Sequence, residues 1–310
     1  MSSTNLYSFI FAGVLFTLVF FGHSETDRQT KLPSYASEIE KTSVSLVADI
    51  KTQVDAIAES LPINENKENS LVPFPIESPK VKISAGLVQE LDSEQPLFSY
   101  RAEQRWPIAS LTKLMTAVIA YEKINKETLI PVSQEAVATE GIGGGLSAGE
   151  KVSARKLVEL MMVVSSNDAA AALAEYIGKN AFVDAMQAKA AELGMIETAF
   201  FNESGLSTLN QSTILDLKKL INYIYRTHPE ILELSTQVQV SHAGQTLKNI
   251  NAFAGQSDFL GGKTGFLEES RGNLLTLFKI HNRVFLFIVF GAENRFEQTE
   301  ILHNWAESLF

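Results

Sequence analysis

Three short strings, set far apart in the chain, constrain its fold more than any other feature: Ser110-Leu111-Thr112-Lys113, Ser165-Ser166-Asn167 and Lys263-Thr264-Gly265. The first offers a hydroxyl and an amine three positions apart, the second a hydroxyl and a carboxamide two apart, and the third a cation, a hydroxyl and a permissive backbone. On a helix, positions three apart share a face, so Ser110 and Lys113 can address one atom. Together these groups are what a serine nucleophile needs where no histidine serves it, and that use requires a fold bringing all three strings to one place. Each string alone has a plainer reading. A lone Ser-x-x-Lys is an ordinary helix start, and Ser-Ser-Asn-Asp can simply cap the helix that begins near Ala169 through Asn167 or Asp168. Gly261-Gly262-Lys263-Thr264-Gly265 is no phosphate loop, because Ser257 stands where the first glycine of that motif must be.

The periodicities around the strings predict α+β architecture, an antiparallel sheet flanked by helices with a helical subdomain. Two short apolar runs around Asp92-Ser93-Glu94 read as a hairpin, and two longer ones around His281-Asn282 as a second. Residues 110–123 and 153–164 carry helical spacing, with Ser153 as N-cap, so the second string falls on the turn before the next helix. Residues 297–309 form a closing amphipathic helix, and the glycine-rich run at 141–145 reads equally as a cleft rim or a plain surface loop.

Residues 6–22 contain no charge and would make a helix about 26 Å long, close to the hydrocarbon thickness of a bilayer. Residues 1–5 lack the lysine or arginine of a signal peptide, so an uncleaved anchor fits better, although Gly22 and Ser24 are small enough for cleavage after Ser24. Arg28 and Lys31 on the exported side run against the positive-inside trend. The expected organisation is an anchor or signal segment at 1–24, a tether at 25–79 and a catalytic domain at 80–310. The tether combines an amphipathic pattern at 43–61 with a Pro- and Asn-rich stretch that buries too little to order itself. A net charge of −10 argues against nucleic acid as a partner. The absence of cysteine rules out disulfides and thiolate sites, and the five scattered histidines offer no metal-ligand spacing, so neither metal nor cofactor is expected.

In context the strings resemble the D-alanyl-D-alanine carboxypeptidases, the low-molecular-mass penicillin-binding proteins, whose motif set they reproduce. Arg105-Trp106-Pro107-Ile108-Ala109-Ser110-Leu111-Thr112-Lys113-Leu114-Met115-Thr116 is a near-verbatim nucleophile segment, Ser165-Ser166-Asn167-Asp168-Ala169-Ala170 the second motif with Ser166 where glycine is usual, and Gly261 to Phe266 the third. Fainter echoes are Leu146-Ser147-Ala148-Gly149-Glu150, Phe201-Asn202-Glu203-Ser204-Gly205-Leu206 and Glu293-Asn294-Arg295-Phe296-Glu297. The resemblance implies a β-lactamase/transpeptidase-like fold and an extracytoplasmic enzyme that trims the terminal D-Ala from peptidoglycan stem peptides, with β-lactams as covalent inhibitors. The membrane would be engaged through 6–22, because after the closing helix the sequence leaves no room for the family's extra all-β domain and C-terminal membrane helix.

The resemblance also assigns roles. Ser110 is the nucleophile, Lys113 the general base and Ser165 a proton relay. Asn167, Lys263, Thr264, Gly265 and Phe266 bind substrate, with the backbone N–H groups of Ser110 and Phe266 as oxyanion hole. For Lys113 to accept a proton, its pKa must fall through burial or a nearby cation, and Lys263 is the available one. Two departures stand out. An Asn-Arg-Asn string common before the third motif is Asn249-Ile250-Asn251 here, and Ser270-Arg271 replaces a small pair after it. Rivals on the same scaffold are a DD-endopeptidase, a β-lactamase and a non-catalytic wall-binding protein. Glu203 is misplaced within Glu203 to Asn210 for the deacylating base of a class A β-lactamase.

Overall fold

The computed structural model describes residues 78–310. The apolar run at 6–22 and the amphipathic pattern at 43–61 lie outside the described residues. Among those described, no helix is long and apolar enough to cross a membrane.

The chain runs β1 (Ala85–Glu90), β2 (Phe98–Tyr100), β3 (Trp106–Pro107), a 3-10 turn (Ala109–Thr112), α1 (Lys113–Lys123), β4 (Leu129–Pro131), α2 (Gln134–Val137), β5 (Lys151–Ser153), α3 (Ala154–Val163), α4 (Asn167–Ile177) and α5 (Lys179–Glu192). It continues through β6 (Gln211–Ser212), α6 (Ile214–Thr227), α7 (Pro229–Thr236), β7 (Gln239–His242), β8 (Gln245–Lys248), β9 (Phe259–Leu267), β10 (Arg271–Ile280), β11 (Arg283–Ala292) and α8 (Arg295–Glu307). The main sheet has the order β2-β1-β11-β10-β9 and every neighbouring pair is antiparallel. Strands from the two ends of the described chain therefore meet at the sheet centre, with the helices in between.

Both faces of the sheet are covered, which is why β10 and β11 read as nearly unbroken apolar runs. In β11, Leu286, Ile288 and Phe290 face a large cluster made with α1, α3, α4 and α6, whereas Phe285, Phe287 and Val289 face α8 through Leu302 and Ala306. The β10–β11 turn is tight: His281 and Asn282 both have positive φ, 47° and 65°, as a two-residue hairpin matching strand twist demands. Ser153 caps α3 by accepting the Lys156 N–H. The cap of α4 is Ser166, one residue before the two candidates considered from sequence, because Ser166 Oγ accepts the Ala169 N–H at 3.0 Å.

One local difference bears on function. The nucleophile segment is not α-helical from Ser110 but opens with the 3-10 turn, and α1 begins at Lys113. Ala109 has φ of 50°, and the turn is squeezed from two sides. A Cβ at Gly205 would stand 2.1 Å from Ala109 O, and one at Gly265 2.8 Å from Ile108 O. In a 3-10 turn side chains three apart eclipse one another, so Ser110 and Lys113 are aligned more tightly than in an α-helix.

The face under α8 is held by aromatic packing. Phe278, 1% exposed, meets Phe253 edge-on at 5.1 Å and Phe287 at 5.6 Å. Replacing Phe278 by Ala is expected to cost about 3–5 kcal/mol, read as a lower urea midpoint at unchanged m-value.

Candidate active site

Lys113 is the centre of the site because it is wholly buried yet carries an amine. Its Nζ donates to Ser110 Oγ at 3.1 Å, to Asn167 Oδ1 at 2.6 Å and to the Ser204 carbonyl. An ammonium has three protons and no lone pair, so three oxygens satisfy it completely. Desolvation penalises the charged form and holds the Lys113 pKa at about 7, while Glu203 and Asp168 pull weakly the other way. Burial, rather than the cation considered from sequence, is the dominant cause.

The three partners come from separate segments, each with its own support. Thr112 Oγ1 closes the nucleophile turn onto Ala109 O at 2.7 Å and accepts from Asn210 Nδ2 at 3.0 Å. The Asn210 Oδ1 in turn accepts the N–H groups of Phe201 and Asn202 at 2.7 and 3.1 Å. This amide thus staples the 201–206 segment beneath Ser110 and aims the Ser204 carbonyl at Lys113. Gly205, with φ of 85°, makes the approach possible.

Ser165 links the second motif to the third. It sits at φ of 63°, a left-handed conformation unusual for serine, and its Oγ accepts from Lys263 Nζ at 2.8 Å. Lys263 is 1% exposed and also donates to Thr264 O at 2.9 Å. Burial first, then the neighbouring Lys113 and Arg295, hold the Lys263 pKa well below the usual lysine range. Strand β9 carries Lys263, Thr264 and Gly265 past the nucleophile, and a Cβ at Gly265 would come within 3.2 Å of Ser110 N. The missing side chain therefore lets the two backbones lie together. Asn273 anchors the pairing from β10, donating to Pro107 O at 2.9 Å.

These groups border a cavity of about 240 Å³ lined by Ser110, Ser165, Asn167, Thr264, Gly265 and Phe266. Every site residue expected from sequence thus lines this cavity or, for Lys113 and Lys263, bonds to a residue that does. Glu203 is not among the lining residues. Among the described residues no His, Cys, Asp and Glu cluster could hold a metal.

Two cleft residues gain meaning only from the structure. Ile250, which replaces the arginine of the Asn-Arg-Asn string, lines the cavity; the flanking Asn249 is spent on the carbonyls of Ser235 and Gln237. Arg295, at the start of α8, lines the same cavity. It is half-buried, donates through Nη1 to Gly265 O at 3.3 Å, and its Nε is buried without a partner. Burial pushes its pKa down. Arg295 lay within a noted sequence echo, but nothing in its neighbours shows that it reaches the cleft.

The family model described as D-alanyl-D-alanine carboxypeptidase matches residues 74–294. The D-alanyl-D-alanine endopeptidase of Pseudomonas aeruginosa is 33% identical over 240 residues, covering 72% of this chain and 77% of the relative. The D-alanyl-D-alanine carboxypeptidase DacD of Escherichia coli is 28% identical over 258 residues, covering 77% and 66%. Among solved structures, D-alanyl-D-alanine carboxypeptidase from Mycobacterium tuberculosis has a TM-score of 0.70 at 25% identity, over 76% of this chain and 94% of that one. With Ser110 held by one buried lysine, Ser165 by a second, and a family match across most of its length, the chain belongs to the D-alanyl-D-alanine carboxypeptidase family of serine peptidases.

Proposed function

We propose that Ser110 attacks the penultimate D-Ala carbonyl of a peptidoglycan stem peptide outside the cytoplasmic membrane, with residues 6–22 as the anchor and 25–79 as the tether. The observation carrying this reading is the contact between the Ser110 hydroxyl and the buried Lys113 amine, whose pKa near 7 leaves a neutral acceptor at working pH. The hydroxyl proton passes to Lys113 Nζ as the Ser110 Oγ–C bond forms. The backbone N–H groups of Ser110 and Phe266 receive the oxyanion, each such donor contributing about 10²–10³ in rate. The C–N bond then breaks, the proton reaches the leaving amine from Lys113 or through Ser165, and water releases the acyl group from Ser110. Asn167 orients the peptide backbone. Lys263, Thr264 and Arg295 favour a free terminal carboxylate, the feature separating carboxypeptidase from interior cleavage.

The same chemistry opens a cross-link when the leaving amine belongs to a second stem peptide. The similarity to an endopeptidase of Pseudomonas aeruginosa supports this second reading. Digestion of purified muropeptides distinguishes them: loss of D-Ala from pentapeptide monomers supports the first, and conversion of cross-linked dimers to monomers the second. A chain that forms no adduct with benzylpenicillin and releases neither product would instead be a wall-binding protein. Because Glu203 does not line the cleft, a benzylpenicillin adduct on Ser110 is expected to persist, and intact mass over hours checks this.

Two further outcomes are expected. Lys113 accepts a proton only when neutral, so acylation by benzylpenicillin should rise from acid pH through about 7. A second limb, a loss of rate, is expected where Lys263 loses its charge, at lower pH than for an ordinary lysine. A stopped-flow pH profile reads both limbs. Arg295→Ala should lower kcat/KM for a D-Ala-D-Ala peptide by roughly 10-fold or more, the worth of a charged hydrogen bond, chiefly through KM, as measured by D-Ala release.

A further inference from the structure

The glycine-rich run at 141–145 carries no motif, yet it lies tightly against the second motif. Glu140 O accepts the Asn167 side-chain amide at 2.7 Å, and Ile142 O accepts the Asn167 backbone N–H at 2.7 Å. The Gly144 N–H is shared by both carboxylate oxygens of Asp168, at 2.8 and 2.9 Å. No side chain fits between. A Cβ at Gly141 would stand 2.6 Å from Asn167 Nδ2, and one at Gly144 2.8 Å from Ser166 Oγ.

Ser166, which stands where related proteins usually have glycine, joins these contacts. Its hydroxyl donates to Asp168 Oδ1 and accepts the Ala169 N–H at 3.0 Å. One side chain thus caps α4 and orients the carboxylate that holds Gly144. The consequence reaches Lys113 through an amide. The terminal torsion of asparagine is soft, and a lysine ammonium can bond only to the oxygen end. With Glu140 O holding the NH₂ end, Oδ1 is left facing Lys113 Nζ at 2.6 Å.

We propose that residues 140–144 are a positioning clasp that fixes the Asn167 carboxamide, and through it the Lys113 amine against Ser110, with Gly144 and Ser166 as a matched pair inside it. The proposal rests on Lys113 serving as base to Ser110. Gly144, Ser166 and Asp168 touch neither substrate nor reacting atoms; they act through Asn167. When the clasp loosens, the carboxamide is free to turn, and the amine loses one of the three oxygens that locate it.

The test is the second-order rate constant for acylation of the full-length chain by benzylpenicillin. Gly144→Ala is expected to slow acylation by about 10²-fold, the penalty of displacing a reacting group on the order of 1 Å. Adding Ser166→Gly removes the hydroxyl that the new methyl group meets, while glycine remains an accepted helix cap. The double variant is therefore expected to recover most of the rate. A purely structural role for the loop predicts the reverse, a double variant slower and less heat-stable than either single one. An unchanged rate in Gly144→Ala, or a double variant no faster than Gly144→Ala, overturns the clasp while leaving the wild-type adduct on Ser110 intact. If the wild-type chain takes no adduct on Ser110, the reading of the site fails first and the clasp falls with it.

Discussion

A buried amine is among the costliest groups a protein can carry, and the catalytic end of this fold is arranged around one. Taking an ammonium out of water costs several kcal/mol unless oxygens replace its hydration. Lys113 receives three, from the nucleophile turn, the α3–α4 turn and the 201–206 segment. These segments are distant in sequence, and the amine joins Asn210 and Gly205 in holding them together. The same burial that demands the three partners also lowers the pKa, which is what the proposed role as base requires. Stability and chemistry therefore draw on one desolvation.

The sheet contributes position more than chemistry. β9 lies at the sheet edge and brings Lys263 under Ser165 while its glycines let it run close to its neighbours. Gly262 packs on the Leu275 carbonyl, where a Cβ would be 2.2 Å away, and Gly265 packs on the nucleophile turn. Left-handed backbone at Ala109 and Ser165, beside the nucleophile and within the second motif, falls where function needs special geometry. Such conformations cost about 1–3 kcal/mol each and persist only where surrounding contacts over-determine them. Here the stapling by Asn210 and the contacts of Gly265 and Lys263 do so.

The proposed mechanism is compatible with both the carboxypeptidase and the endopeptidase names among the relatives. The bond broken would be of the same kind, and on that reading Ser110, Lys113 and Ser165 would serve either substrate. The two readings differ in what the cleft must offer beyond the leaving nitrogen. An apolar residue, Ile250, and a cation, Arg295, both line the cavity, and on the proposed mechanism Arg295 gives a free carboxylate a partner.

Much of this protein was written in local sequence. The alternating and continuous apolar runs marked both hairpins, Ser153 marked its helix start, and the three strings offered the candidate reactive groups, because hydroxyls, amines and turn residues keep their chemistry wherever the chain places them. Other features had no local signature. The Ser204 carbonyl acts through backbone, which any residue could supply. Arg295 reaches the cleft only because α8 packs on β10 and β11, so that its first residue starts beside Gly272 and extends to Gly265 O. The glycine-rich run read equally as a cleft rim or a plain surface loop; it lines the cleft through Gly141 and Ile142, and its close contact with Asn167 and Ser166 had no sequence sign. The depth of Lys113 follows from the packing of α1 among the helices around it, and no stretch of sequence around Ser110 states it. Sequence alone determined which groups could react. Tertiary structure decided their distances and their dielectric surroundings, because both depend on residues far along the chain that only packing brings together.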